Sequence, residues 1–362
     1  MTHTVIENNE MYDANNPATA LHTRAETDPS AVQTGNEKDP IDTSSTGNSR
    51  PAIEIKTIVV PIDFSGESFR VLDYAVAVAE QFGAVVHPVH VRSHHEAMAT
   101  ERARNIIGNY QDGISYLQDR LADVEHKHLL KFAPEHCHIF SGRPFEEICR
   151  LAREIDADLI ILGSRGHSGL KRVLLGSTAE RVVRYASCPV LVPRGQPFKA
   201  AIGLAGRMRL KLRNILVPVD FSDCSVAAVN YGVFLAKKFN AGVRLLYSME
   251  LNVKFVVQSR MSGALAAVSN ADQLLAENRM KQFKSIHIPA NISCETEVLI
   301  GSPVDQICAC SRKREIDLVA ISTHGRTGVQ HALMGSVAER VVRHAECPVL
   351  VVPAAMHRRS SA

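Results

Sequence analysis

The chain contains two copies of one sequence unit, and this repeat limits the possible folds more than any other feature. Residues 56–65 (KTIVVPIDFS) return as 213–222 (RNILVPVDFS), at an offset of 157. Residues 176–193 return as 335–352 at an offset of 159, with 14 of 18 aligned positions identical. Gly142 and Gly301 pair at the same offset of 159. Two copies of a domain of about 140 residues therefore account for most of the 362 residues.

Each copy alternates short β-branched runs with helical patterns, which predicts a parallel sheet covered on both faces. Ser65 is the predicted N-cap of the first helix, and Gly83 ends it. The predicted strands of copy one are 57–62, 84–91, 135–140, 158–162 and 189–192. Its other helices are predicted at 96–130 (broken near Gly108 and Gly113), 144–155 and 177–186. Copy two repeats this order, with strands at 214–219, 242–248, 293–299, 317–321 and 348–352, and helices at 225–239, 270–284, 303–314 and 336–345.

The remaining segments differ in composition. Residues 1–52 carry eight acidic and three basic side chains, a net charge of −5, without an apolar period, so we expect a disordered acidic tail. Since the whole chain is at +3, the rest carries +8, and the tail either folds loosely onto this basic body or is simply solvated. The expected domains are 53–194 and 213–353, joined by a basic linker over 195–212 and followed by a C-terminal tail over 354–362.

Composition excludes several classes of protein. Hydrophobic residues make up 45% and charged residues 22% of the chain, as in globular proteins. No run of about 18 apolar residues occurs, which argues against a membrane span, and the N-terminus lacks signal-peptide features. A net charge of +3, no Trp and only 5% aromatic residues disfavour nucleic-acid binding. Eight scattered cysteines without a CxxC motif indicate reduced thiols, so we expect a cytoplasmic protein.

A glycine-rich segment after the fourth predicted strand contains the candidate binding residues. Gly163, Gly166 and Gly176 precede Ser177, where a helix is predicted to begin. Glycines let a backbone approach phosphates closely, and a helix N-terminus offers unpaired N–H groups and a positive dipole end. The alternative is an ordinary loop that needs small residues for tight turns. The spacing matches neither the P-loop nor the GxGxxG fingerprint.

The spacing Gly-x2-Gly-x9-Gly-Ser, between a buried strand and a helix that runs into Cys-Pro-Val-Leu-Val, resembles the ATP-binding motif of the universal stress protein family. The first strand, ending Val-Pro-x-Asp-Phe-Ser, resembles that family's other marker. Both recur at matching distances, so the resemblance covers 56–194 and 213–353. It implies two tandem, Rossmann-like α/β domains, each an open five-stranded parallel sheet of order 3-2-1-4-5. Ligands in such sheets bind where the strand order reverses.

The resemblance also implies which residues contact the nucleotide. In copy one Asp63 would hydrogen-bond the ribose, and Pro61 and Val91 would flank the adenine. The ribose and phosphates would be held by Gly163, Gly166, Gly176, Ser177 and Thr178. Copy two offers Pro218, Asp220, Ser248, Ser322, Gly325, Gly335, Ser336 and Val337. Taken in isolation, Asp63 could instead only cap the first helix.

Copy two departs from the pattern at two positions. Ser322 stands where copy one has Gly163, and Ser248 stands where it has Val91. If the first position requires a positive φ, serine costs about 1 kcal/mol or more; otherwise it is harmless. Arg165 and Arg326 occupy different loop positions, so the two sites need not share one affinity. We expect ATP in both copies.

Other possible sites are set aside. His87, His90, His94 and His95 cluster near one strand end, and His136 and His138 share a strand face, but no spacing matches a structural zinc site. Cys308 and Cys310 point apart on a helix, and Cys188 and Cys347 are interpreted as core thiols. No nucleophile with its base, and no acid cluster for Mg²⁺ beside a transferring phosphate, marks an enzyme.

The sequence is therefore interpreted as a cytoplasmic stress-response module that binds ATP, with or without Mg²⁺, and no catalytic residue is assigned. An interaction scaffold with vestigial sites and a slow ATPase are the alternatives. A protein partner is expected but not identified by the sequence. In this family the last strand often pairs across an interface, so 189–192 and 348–352 are expected to form an intrachain pseudo-dimer or to pair two chains in a homodimer.

Overall fold

The computed structural model describes residues 53–92, 132–164, 175–194, 201–202, 208–250, 264–313, 316–325 and 334–354. All of them belong to one unit that spans Arg50–Ala362. The predictions for the acidic tail over 1–52, for a helix over 96–130 and for Gly166 lie outside these residues.

Copy one alternates strands and helices as predicted. Its elements are β1 (Thr57–Pro61), α1 (Gly66–Phe82), β2 (Val85–Arg92), a 3₁₀ turn (Pro134–His136), β3 (His138–Ser141), α2 (Pro144–Glu154), β4 (Leu159–Ile161), α3 (Ser177–Tyr185) and β5 (Val190–Val192). Two short strands of the linker, β6 (Ala201–Ile202) and β7 (Met208–Arg209), pair with each other.

Copy two repeats the strands and shorter helices of copy one, and its described residues include a long helix before the third strand. Its elements are β8 (Asn214–Pro218), α4 (Asp223–Phe239), β9 (Gly242–Met249), α5 (Ala264–His287), β10 (Cys294–Ile300), α6 (Pro303–Lys313), β11 (Leu318–Ser322), α7 (Ser336–His344) and β12 (Val349–Val352).

The two copies share one ten-stranded sheet of order β10-β9-β8-β11-β12-β5-β4-β1-β2-β3. Within each copy all pairs are parallel and the order is 3-2-1-4-5. The predicted fold class is thus confirmed. In each half the order reverses between the first and fourth strands, and this reversal positions the sites described below.

The core lies on both faces of this sheet because alternate strand residues point to opposite sides. Ile58 and Val60 join one buried cluster, with α1 and α4, while Val59 between them joins the other, with the remaining short helices. All three are 0% exposed, as expected of parallel strands that are covered on both faces.

Local signals set the ends of the first helix in each copy. Ser65 and Ser222 are the N-caps, and their hydroxyls accept from the N–H groups of Ser68 and Ser225. Gly83 ends α1 in the left-handed conformation at φ 71°, as predicted. The equivalent C-cap in copy two is Asn240 at φ 53°, the side chain that best replaces glycine there.

The structure corrects three boundaries. The strand predicted over 135–140 begins only at His138, because Pro134–His136 form a 3₁₀ turn. The helix predicted over 270–284 runs from Ala264 to His287, and the one predicted from 225 begins at Asp223. The early start follows from Ser222, which caps that helix as Ser65 caps the first.

The two copies meet along the antiparallel pair β5–β12, in which Leu191 lies opposite Leu350. The expected pairing of the last strands thus occurs within the chain. Beside this seam, Arg184 contacts Glu180 of its own helix at 3.2 Å and Glu339 of the other copy at 3.9 Å. Arg343 mirrors it, with Glu339 at 2.8 Å and Glu180 at 3.6 Å. These four side chains form a cross-copy ion-pair quartet.

Candidate functional site

Each copy has a cavity at the carboxyl ends of its strands, where the strand order reverses. The cavity volumes are about 360 Å³ in copy one and about 420 Å³ in copy two. Both fall in the size range of small-molecule sites. Open α/β sheets bind their ligands at this topological position.

The copy-one cavity brings together seven of the residues singled out by sequence. The lining includes Pro61, Asp63, Val91, Gly163, Gly176, Ser177 and Thr178. Apolar side chains, among them Val89, Ile148 and Leu162, form the rest of the wall. Polar groups and an apolar wall therefore face one space, although Asp63 and Ser177 at its two ends lie 114 residues apart in the chain.

Asp63 supports the N-cap of the first helix and also lines the cavity. Its Oδ1 accepts from the backbone N–H of Ser65 at 3.0 Å and from the Ser65 hydroxyl at 2.6 Å. Ser65, not Asp63, is the N-cap, so the carboxylate supports the capping residue. Phe64 between them holds φ at 59°, a left-handed conformation that is rare for a bulky residue. This turn fixes the carboxylate at the cavity edge.

The other polar end of the cavity is the N-terminus of α3. Gly176 is its N-cap at φ −63° and ψ 147°, and no side chain caps it. The Gly176 N–H donates to the Ser164 carbonyl at 2.8 Å, which ties the helix start to the end of the fourth strand. The first N–H groups of a helix have no intrahelical partner. Groups of this kind are able to bind an anion at the edge of the cavity.

Copy two repeats this geometry closely. Gly335 caps α7 at φ −61° and ψ 141°, again without a side-chain cap, and its N–H donates to Thr323 at 2.7 Å. Asp220 accepts from the Ser222 N–H at 3.1 Å and from its hydroxyl at 2.5 Å. The eight predicted copy-two residues all line the cavity: Pro218, Asp220, Ser248, Ser322, Gly325, Gly335, Ser336 and Val337.

Gly325 is required by the approach of Asp220. A Cβ at Gly325 would lie 2.5 Å from Asp220 Oδ2 and 3.6 Å from its Cγ. Because Oδ1 is held by Ser222, the carboxylate cannot turn away without losing those bonds. The loop after the fourth strand is therefore packed directly against the aspartate after the first.

The two substituted positions in copy two are accommodated. Ser322 is the last residue of β11 and pairs with Val352, so its backbone is extended and serine brings no strain. Its hydroxyl donates to the His324 carbonyl at 2.8 Å. Ser248 donates to the Gly301 carbonyl at 2.8 Å, a bond to the neighbouring strand that Val91 cannot make.

Several lining residues were missed from the sequence. Ser68 and Ser225 lie on the first helix of each copy, Pro144 and Pro303 begin the helix after the third strand, and Glu250 follows β9. A signal existed for the prolines, because Gly142-x-Pro144 recurs as Gly301-x-Pro303 at the offset of 159. No local pattern marks Glu250.

Three histidines of copy one, His87, His136 and His138, lie together near the β3 edge of the sheet. His87 Nδ1 is 3.0 Å from His138 Nε2, and the His136 ring centroid is 4.8 Å from that of His87. Burial, with repulsion from His138 and His136, lowers the pKa of His87 to about 4. No group of three or more metal-ligating side chains among the described residues is arranged to hold a metal ion.

None of the eight cysteines forms a disulfide, and six of them are buried. Burial raises the pKa of Cys347 to about 12 and that of Cys149 to about 11. Since the thiolate is the reactive form, these thiols behave as core side chains.

Comparison with known proteins identifies the family. The model of the universal stress protein family matches residues 54–194 and again 211–353. The chain belongs to the universal stress protein family. It is 33% identical over 140 residues to a universal stress protein of Methanocaldococcus jannaschii, over 39% of this chain and 81% of the relative. A universal stress protein of Synechocystis is 24% identical over 317 residues, covering 82% of this chain and 99% of that protein.

Solved structures agree with the tandem universal stress protein fold. A universal stress protein from Archaeoglobus fulgidus matches with a TM-score of 0.54 at 19% identity, over 83% of this chain and 97% of its own. None of the described helices has the length and apolarity that a membrane span requires.

Proposed function

We propose that this universal stress protein binds ATP in both cavities and acts as a nucleotide-dependent regulatory module in a stress response. The observation that carries the proposal is the same in both copies. An uncapped helix N-terminus and an aspartate held by a serine face one cavity at the strand reversal. One end of each cavity therefore attracts anions, and the other accepts hydrogen bonds.

The residues of copy one fit the three parts of the nucleotide. Val89, Val91 and Ile148 offer an apolar wall for the adenine. The Asp63 carboxylate accepts hydrogen bonds from ribose hydroxyls. The N-terminus of α3, with the Ser177 and Thr178 hydroxyls, provides donors to phosphate oxygens. Each such bond to a charged phosphate contributes about 1.5–3 kcal/mol, and the helix end adds about 0.3–1 kcal/mol.

Binding, rather than turnover, is the function that the lining supports. Among the described residues that line the copy-one cavity, Asp63 is the only carboxylate, and one of its oxygens is engaged by Ser65. Phosphoryl transfer uses metal ions held by acids, together with a residue that orients the nucleophile. A slow hydrolysis remains measurable as ADP release, and it would add to the proposed binding without replacing it.

The test is calorimetric titration of ATP with Mg²⁺ into the intact chain and two variants. A Cβ at Gly335 would lie 3.1 Å from the Thr323 carbonyl, so Gly335→Val loosens the junction of loop and helix in copy two. Gly176→Val changes the equivalent residue of copy one, whose N–H donates to the Ser164 carbonyl at 2.8 Å. We expect two ATP per wild-type chain and one per variant.

Gly66→Ala is the matched control, because its Cβ would have no atom within 4 Å. It should bind two ATP. No heat and no thermal shift with ATP in the wild-type protein would contradict the proposal and leave an interaction scaffold of the same fold.

A further inference from the structure

Three histidines connect the second and third strands of copy one on one face of the sheet. His87 Nδ1 is 3.0 Å from His138 Nε2, and the two rings stack with centroids 5.3 Å apart. The His136 ring centroid lies 4.8 Å from that of His87. His87 and His138 point to the same face, because His138 pairs with Val89, two residues after His87. We call these three side chains the histidine cluster.

The same positions of copy two carry an arginine and two glutamates. At the repeat offsets, 157 for the second strand and 159 for the third, Arg244 replaces His87, and Glu295 and Glu297 replace the other two histidines. The second strand has the same register with the first strand in both copies. Arg244 forms ion pairs with Glu295 and, at 3.7 Å, with Glu297. An arginine–glutamate pair keeps its charges between about pH 5 and pH 8, whereas histidine changes charge within this range.

Protonation of the histidine cluster opposes the contacts within it. A hydrogen bond between two imidazole rings needs one ring nitrogen without a proton, so it is lost when both rings are protonated. Burial, with repulsion from the other two histidines, lowers the pKa of His87 to about 4. Burial and repulsion from His136 also lower the pKa of His138. Rings that are released to water have a pKa of about 6.5, so acid favours an open edge over a closed one.

Among the described residues, the charged groups around the cluster belong to α2 and to the 3₁₀ turn. The helix α2 packs on the same face of the sheet, since Ile148 and Val89 join one buried cluster. The charged residues are Glu135 in the turn and, on α2, Glu146, Glu147, Arg150, Arg153 and Glu154. Glu154 attracts the proton of His138, but burial outweighs it. Arg150 contacts Glu154 at 2.7 Å and shares its carboxylate, so these groups moderate the acid effect without reversing it.

The histidine cluster lies between the elements that form one wall of the copy-one cavity. Val89 and Val91 of β2 line this cavity, and so do Pro144 and Ile148 of α2, which follows β3. Val91 also pairs with Phe140 of β3. Separation of β3 from β2 would therefore move this wall away from the cavity.

We propose that the histidine cluster is an acid-sensitive switch: its protonation opens the β2–β3 edge of copy one, while the equivalent β9–β10 edge of copy two stays closed. The switch itself needs no ligand. Its consequence rests on the proposed function: when the pH falls, copy one releases its nucleotide before copy two does. The chain then holds nucleotide in one cavity only.

Hydrogen exchange of two equivalent amides tests the switch in nucleotide-free protein. The Gly142 N–H donates to the Arg92 carbonyl at 3.1 Å, and the Gly301 N–H donates to the Met249 carbonyl at 2.9 Å, so each reports on the same edge of its copy. A His87 pKa of about 4 in the closed edge and about 6.5 in the open edge predicts the size of the effect. Between pH 7 and pH 5 the protection of Gly142 should fall about 20-fold more than that of Gly301. Equal changes at both amides would overturn the proposal.

Reciprocal exchange of side chains separates the histidines from the rest of each copy. The triple change His87→Arg, His136→Glu and His138→Glu should abolish the extra loss of protection at Gly142. The reverse exchange at the three copy-two positions should create such a loss in copy two. The single change His87→Gln should at least halve the logarithmic fall at Gly142. The pH dependence is compared within each variant, so a uniform loss of stability does not affect the result, and an unchanged pH dependence in all three variants would overturn the proposal.

The rate of ATP dissociation tests the consequence for the ligand. Gly335→Val leaves the copy-one site for this measurement, and Gly176→Val leaves the copy-two site. Between pH 7 and pH 5 the rate should rise at least about 10-fold more for copy one than for copy two. Protonation of ATP itself acts on both sites alike, and equal rises would overturn the link between the switch and the cavity. A protein that binds no ATP would contradict the proposed function alone, because hydrogen exchange tests the switch without nucleotide.

Discussion

Gly325→Ala tests the contact between the two halves of the copy-two site. The added methyl group would lie 2.5 Å from Asp220 Oδ2, well inside van der Waals contact. The carboxylate cannot give way freely, because its Oδ1 accepts two hydrogen bonds from Ser222. If the Asp220 carboxylate turns away, both hydrogen bonds from Ser222 are lost. If the carboxylate stays in place, the backbone at Gly325 must move instead.

The magnitude follows from those two bonds. Each hydrogen bond to a charged group contributes about 1.5–3 kcal/mol, and water replaces part of this because Asp220 is only half-buried. Asp220 also supports Ser222 as the N-cap of α4, and weakening that cap would raise the loss of stability by up to about 1 kcal/mol. We therefore expect a loss of about 2 kcal/mol in the free energy of unfolding, and at least a 10-fold loss of ATP affinity at copy two.

The assay is urea unfolding followed by circular dichroism, with ATP titration of the same preparation. Gly66→Ala is the control and should be neutral or slightly stabilising, because alanine favours a helix over glycine. An unfolding free energy within 0.3 kcal/mol of the wild-type value, together with unchanged ATP binding, would refute the argument that Gly325 is required by Asp220.

Two further predictions concern pH and salt. The His87 pKa is about 4 in the folded protein and about 6.5 in the unfolded chain. His87 therefore contributes stability that is present above pH 6.5 and lost as the pH falls towards 4. The urea midpoint of the wild type should fall more steeply over that range than the midpoint of His87→Gln, and parallel curves would contradict this prediction. Glu180→Gln and Glu339→Gln each remove one carboxylate of the cross-copy quartet. Each should lower the free energy of unfolding by about 1 kcal/mol or less at low salt, and by less at 0.5 M salt. Thermal unfolding that is equally salt-dependent in wild type and variants would show that the quartet contributes nothing to stability.

The fold was predictable because its determinants are local or repeated. Ser65 and Gly83 mark the ends of α1 by capping chemistry, and the buried apolar runs mark the strands. The boundary at Pro134–His136 was not predicted, because the polar residues Glu135 and His136 directly precede the strand and the short sequence does not separate a 3₁₀ turn from the start of a strand.

The site was predictable only in part. The glycine and aspartate motifs placed its two ends, but their contact depends on strand order, which no local pattern encodes. Glu250 lines the cavity only because β9 lies beside β8. Whether Ser322 is strained also depended on its place in β11, which the sequence left open.

The most direct test of the account is the nucleotide content of freshly purified protein, measured by denaturation and quantitative chromatography. We expect adenine nucleotide in both cavities, about two per chain, with ATP as the main species lost in Gly176→Val. Protein that carries no adenine nucleotide, and that neither takes up ATP nor gains thermal stability with it, would contradict the claim that these cavities are nucleotide sites.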